Sequence, residues 1–237
     1  MLPGWKHKIM PTNPAAKAVF LRLPVFRVML LSLLLLGGSR RNTAAYVAAD
    51  GPTMMVAFND AFYFTASGNR GYFRNTTEGG TTWFWGRANQ MEMLIDLYEQ
   101  TSNTVYLTQF QQLYNGFISD YGTSWIWNEF NDDIMWMVIA CSRAYQHTGN
   151  PTYRNVARSN FDSCYARAWS SDLGGGLWWN SPLNTSKNAC VNGPGAIAAY
   201  LIYQNYNDTN YLNIAESLYQ WERTHLFDTN TGRVYDS

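Results

Sequence analysis

No acidic side chain occurs before Asp50, although that stretch carries seven basic ones, Lys6, Lys8, Lys17, Arg22, Arg27, Arg40 and Arg41. Residues 1–50 thus hold seven of the 17 bases and one of the 17 acids, which leaves the rest of the chain near −6. A mildly acidic body argues against nucleic acid as a partner. Histidine is scarce: His7, His147 and His225 are scattered, which excludes a histidine-based triad or zinc site. The three cysteines, Cys141, Cys164 and Cys190, fit no metal-binding spacing, and their odd count leaves at least one thiol unpaired. No metal and no cofactor is expected. Charged residues are only 14% of the chain while aromatics reach 16%, a balance that excludes disorder over most of the length.

A membrane-spanning run is also missing. Val28-Met29-Leu30-Leu31-Ser32-Leu33-Leu34-Leu35-Leu36 is uncharged, but a spanning helix needs about 20 residues. Basic residues precede it and small ones follow, so it reads as the core of a signal peptide, with cleavage near Gly37–Ser39 or after one of Ala44, Ala45, Ala48 and Ala49. The expected layout is a leader over 1–50 and a secreted or cell-surface domain over 51–237. A mitochondrial presequence, or an uncleaved anchor giving membrane or wall association, is the other reading.

What the chain does hold is aromatic surface and a crowded pair of acids. Asp132 and Asp133 lie side by side in Trp127-Asn128-Glu129-Phe130-Asn131-Asp132-Asp133-Ile134-Met135-Trp136. Adjacent carboxylates repel and are costly unless solvated or used. Two readings fit: ordinary capping and first-turn acids at a helix start, or a site for sugar chemistry among tryptophans.

A repeat organises the rest. Tyr98-x-x-Thr101-x-Asn103-x-x-Tyr106 returns as Tyr145-x-x-Thr148-x-Asn150-x-x-Tyr153 and as Tyr203-x-x-Tyr206-x-Asp208-x-x-Tyr211, spaced by 47 and 58 residues. Apolar positions at i, i+4, i+7 follow each copy, the signature of amphipathic helices. The spacing predicts antiparallel helix pairs, with an earlier helix over Met54–Thr65. A period of this length with two helices per unit means a solenoid or a closed helical toroid. Glu92, Asp96 and Glu99 fall opposite an apolar face and read as solvated.

The longer connections, 68–82, 120–130 and 170–187, are expected on one rim, where sites usually sit. They bring Trp83-Phe84-Trp85, then Trp125 and Trp127, then Gly174-Gly175-Gly176-Leu177-Trp178-Trp179-Asn180. The glycines allow tight backbone and close approach of a ligand. Trp178 and Trp179 read equally as a stacking platform or as core plugs. Lys187 and Asn188 read as donors to hydroxyls or as helix-entry charge and cap.

Phe130-Asn131-Asp132-Asp133-Ile134-Met135-Trp136, with Arg143-Ala144-Tyr145, Thr148-Gly149-Asn150-Pro151, Gly174–Asn180 and Lys187-Asn188-Ala189, resembles glycoside hydrolase family 76 over roughly residues 55–237. That family holds endo-α-1,6-mannanases and fungal wall proteins associated with mannan transglycosylation. The resemblance implies an all-α (α/α)6 toroid, here incomplete because three helix pairs and one further helix do not close six pairs. It implies a polysaccharide substrate, α-1,6-mannan. Asp132 takes the place of the nucleophile and Asp133 that of the general acid/base in a retaining reaction, which needs two carboxyls about 5–5.5 Å apart. Asn131, Trp125, Trp178, Trp179, Lys187 and Asn188 are the candidate substrate-binding residues. The alternative is a non-catalytic mannan-binding remnant or unstable fragment of such an enzyme, or a cell-wall transglycosylase.

Overall fold

The computed structural model describes residues 47–237. Among them are seven α-helices: α1 (Asp50–Phe62), α2 (Phe84–Thr101), α3 (Val105–Tyr121), α4 (Asn131–Thr148), α5 (Pro151–Ala168), α6 (Ala189–Tyr206) and α7 (Thr209–His225). Strand among these residues is limited to two antiparallel pairs, β1 (Tyr63–Ala66) with β2 (Arg70–Phe73) and β3 (Phe227–Asp228) with β4 (Arg233–Val234). No described helix is long and apolar enough to cross a membrane. The apolar run at 28–36 lies outside the described residues, and the expected boundary at 50/51 falls in the first turn of α1.

The repeated turns link helices as their spacing predicts. Each first helix ends on a left-handed residue, Ser102, Gly149 or Asn207, which stops the helix without a long loop. Asn103, Asn150 and Asp208 then accept a hydrogen bond two residues ahead, from the backbone N–H of Val105, Thr152 and Asn210 at 3.0–3.1 Å. Each cap satisfies an otherwise orphaned donor, worth about 1 kcal/mol. Pro151 opens α5 where its missing N–H costs nothing.

The pairs α2/α3, α4/α5 and α6/α7 stand side by side. Within them α2, α4 and α6 pack on one another as an inner layer, and α3, α5 and α7 lie outside. This is the two-layer helical arrangement of an (α/α) toroid. The core runs between the layers, through Phe84, Met91, Phe110, Phe117, Ile134, Met135, Val138, Phe161, Val191 and Leu218, all buried. The N-termini of the inner helices share one rim with the tryptophan-rich loops.

Two expectations need correction. The early helix ends at Phe62, and the next residues pair as β1 and β2 instead of continuing to Thr65. Gly68 and Asn69 both adopt positive φ and reverse the chain, and Phe64 stacks on Tyr72 across the pair at 5.4 Å. Glu92, Asp96 and Glu99 form a solvated face only in part: Asp96 and Glu99 are exposed, and Glu92 is not. They converge on Arg143 of α4 at 2.7, 2.7 and 3.0 Å, and His147 meets Glu99 at 2.8 Å. Glu92 is drawn out of water because α4 packs against that part of α2.

Candidate active site

Asp132 and Asp133 open α4, but neither caps it. Phe130 holds the capping position and makes no side-chain bond. The two aspartates line a cleft of about 370 Å3 whose other walls are Trp83, Trp85, Phe130, Trp136 and Trp179. Consecutive helical positions diverge by about 100°. Both reach one cleft because the helix begins there and opens end-on to the rim.

The two carboxyls are held differently. Asp133 is almost buried, and its Oδ2 accepts from the Trp83 indole at 3.1 Å and the Asn128 amide at 2.9 Å. Burial raises its pKa, and those two donors oppose the rise. Asp132 is more open to the cleft. Its Oδ2 accepts only a weak bond from the Cys190 thiol at 3.5 Å, and its Oδ1 has no partner among the described residues. Burial, then the Asp133 charge, push its pKa up to about 6, against the Trp179 and Cys190 side chains. Burial thus holds both carboxyls above their ordinary range, and the Asp133 charge adds to the rise at Asp132.

The surrounding loops are tied to each other. Asn131 is fully buried; its N–H donates to the Trp179 carbonyl, and its amide donates to the Trp178 carbonyl at 2.8 Å and the Ser181 hydroxyl at 3.1 Å. Arg167 spans from Asn131 Oδ1 to the carbonyls of Ile126 and Asn128, one partner for each nitrogen. Lys187 Nζ donates to the carbonyls of Ser170, Asp172 and Gly175 and to the Ser170 hydroxyl, at 2.6–3.0 Å.

Of the expected substrate-binding residues, only Trp179 lines the acid cleft. Trp125 is fully buried, with its indole on the Gly122 carbonyl, so no sugar can stack on it. Trp178 lies over the Lys187 ammonium at 4.8 Å and bonds Ser170, outside the cleft. Lys187 and Asn188 are buried: Lys187 is spent on the carbonyls above, while Asn188 accepts from Cys190 at its Oδ1 and from Asn192 at its backbone carbonyl. Asn131 braces the loops and does not face the cleft. The glycines serve packing. A Cβ on Gly176, whose φ is +82°, would meet the Trp221 ring at 2.7 Å. Sequence reasoning passed over Trp83, Trp85, Asn128, Phe130 and Trp136. Trp83-Phe84-Trp85 stood out as a rim motif, but nothing in its spacing showed that one indole would bond an aspartate fifty residues on.

All three cysteines are free thiols. Among the described residues no group of three or more His, Cys, Asp or Glu side chains is placed to hold a metal ion. A larger apolar groove, about 580 Å3, lies between α1 and α2 and holds neither aspartate of the pair. Among the described residues, adjacent carboxyls meet aromatic walls in the smaller cleft.

Comparison with known proteins agrees with this geometry. The sequence model of Glycosyl hydrolase family 76 matches residues 46–237. The fold is similar to that of an α-1,6-mannanase from Salegentibacter sp. HEL1_6, at 32% identity and a TM-score of 0.71, over 80% of this chain and 54% of that one. An inactive form of that enzyme, with two adjacent aspartates changed to asparagine, was solved in complex with α-1,6-mannotriose; the match is 30% identical with a TM-score of 0.71, over 80% and 54% of the two chains. A family 76 mannosidase from Bacteroides thetaiotaomicron VPI-5482 matches at 20% identity and a TM-score of 0.67, over 80% and 56%, and supports the fold alone. The chain spans about half the length of these solved structures. No curated protein matches it.

Proposed function

The chain belongs to glycosyl hydrolase family 76, and on that footing we propose that it cleaves α-1,6-mannosidic bonds in mannan with Asp132 and Asp133, by a retaining mechanism. The observation that carries this is the pair itself: two adjacent carboxyls, both raised by burial, in an aromatic cleft. The inactive relative with two adjacent aspartates replaced, holding α-1,6-mannotriose, lends further support.

In the proposed reaction Asp132, the more open of the two, attacks the anomeric carbon as an anion. Asp133 protonates the departing glycosidic oxygen. Its Oδ2 is already engaged by Trp83 and Asn128, which leaves Oδ1 to carry the proton. A glycosyl ester on Asp132 results. Water, deprotonated by Asp133, then attacks the anomeric carbon, releases the sugar and restores the pair. In this reading the proton of the pair sits on Asp133, and sugar hydroxyls that fill the cleft donate to the Asp132 anion. The acid-free leader with its apolar run supports export, which would put the enzyme where cell-wall mannan lies.

Incubation with α-1,6-mannan, with anomers followed by NMR, tests the reading. The α-anomer should appear first; early β-product means inversion, and no release of sugar sinks the proposal. Asp132→Asn should abolish turnover of every substrate. Asp133→Asn should lose mannan, by about 10²–10⁴-fold, yet keep turning over a mannoside with an activated leaving group. The opposite pattern would exchange the two roles.

A further inference from the structure

A second recess, about 510 Å3, opens beside the acid cleft, walled by Ile126, Trp127, Glu129, Arg167, Pro182 and Asn184. A thin ridge divides the two. It is the short antiparallel contact between Phe130 and Asn180. Consecutive residues of an extended segment face opposite sides, and here Phe130 lines the cleft while Glu129 lines the recess. Trp127 also adjoins the cleft wall, with its ring 6.5 Å from that of Trp83.

The chemistry of the recess is selective. Trp127 is half exposed yet fixed: it stacks on Tyr121 at 5.5 Å and its indole donates to the Tyr121 carbonyl at 3.4 Å. A ring held in place offers an apolar platform at little ordering cost. Glu129 is exposed and belongs to none of the ion pairs among the described residues, so it presents free acceptors. Asn184 adds an amide that both donates and accepts. Arg167 spends one N–H of each nitrogen on an uncharged protein oxygen, and Glu129 on the same wall carries the opposite charge. A platform, an acceptor and an amide, with one charge of each sign, fit a neutral polyhydroxylated ring.

We propose that this recess is a second saccharide subsite, which takes a neutral hexosyl unit of the same polysaccharide whose neighbouring units lie in the acid cleft. The inference rests on the reading of that cleft as a mannan site. It predicts that recognition extends over the ridge, so that chain length and the recess are coupled.

The test uses the full chain from a bacterial host that does not glycosylate, since Asn184-Thr185-Ser186 is an acceptor sequence for N-glycans. The readout is the ratio of kcat/KM for α-1,6-mannohexaose to kcat/KM for an activated aryl α-mannoside, which reaches the acid cleft alone. Trp127→Ala should lower the ratio about tenfold and Glu129→Gln about threefold, the scale of one lost stacking or charged hydrogen-bond contact. An unchanged ratio in both variants overturns the subsite. If the parent turns over neither substrate, the reading of the cleft fails, and calorimetric titration with α-1,6-mannotetraose decides the recess alone. Binding weakened about tenfold by Trp127→Ala upholds it; absent binding, or equal binding by parent and variant, overturns it.

Discussion

Replacing Asp132 by asparagine should stabilise the fold at neutral pH and not at acid pH. The carboxyl sits at about 6 in the folded chain against an ordinary 3.8. Between those values the folded state holds a proton that the unfolded state has released, so stability falls as pH rises through this window. Below about pH 4 the group contributes nothing; above about pH 7 the buried charge costs about 3 kcal/mol, because each pH unit between the two values is worth about 1.4 kcal/mol. Asparagine keeps the shape, and the orphaned Oδ1 position is no better partnered in either residue. Any cost of the amide itself appears at both pH values and cancels in the difference. For a folded body of this size, about 3 kcal/mol corresponds to about 6–12 °C in Tm. Calorimetric melts of parent and variant at pH 4 and pH 7.5 give the comparison. The variant's advantage should grow by that amount between the two. An advantage that does not change with pH would mean that Asp132 is not a buried, destabilising charge.

Further outcomes follow from the other contacts. Trp83→Phe keeps the ring but removes a donor that lowers the Asp133 pKa, so the alkaline limb of kcat/KM should move to higher pH; an unmoved limb would deny Asp133 the role of acid. Lys187→Met should lower stability by about 2–4 kcal/mol by orphaning buried carbonyls, and should speed proteolysis within 170–176 while the folded fraction binds mannotriose as before; weakened binding at unchanged stability would restore Lys187 to the substrate. Arg143→Leu strips the half-buried Glu92 of its partner and should cost about 3–5 kcal/mol in urea unfolding. That deficit should be larger at pH 7 than at pH 4, because burial already raises the Glu92 pKa; a deficit independent of pH would show that Glu92 does not ionise there.

The scaffold was legible where local chemistry repeats. The Thr-x-Asn turns carry their own stop and cap, so the hairpins could be read from Tyr98, Tyr145 and Tyr203 alone. The hairpin at Tyr63–Phe73 was not, because it depends on two left-handed residues that can also sit in an irregular loop. At the site the aspartate pair was visible as a local conflict of charge. Its neighbours were not, because side-chain direction in a loop is set by distant partners. Trp125 and Trp179 have the same chemistry; Asn160 holds the Trp125 backbone in the core, and the Ser186 carbonyl holds that of Trp179 beside the cleft. Lys187 looked like a donor for a ligand, and the chain itself uses it; Asn188 accepts at its two oxygens instead.

The way the rim is laced has an evolutionary consequence. Asn131 and Arg167 bind loop to loop and Lys187 closes the 170–187 connection on itself, so the loops hold their shape together. Importing one of them from a relative would leave these side chains without their carbonyls and their new neighbours without donors. Residues 122–188, exchanged together, keep every one of these bonds internal. Recombination within the family should therefore tolerate crossovers in the far-rim turns at 102–104 and 207–208 and reject those inside the block. New sugar specificities would then be inherited as one cassette.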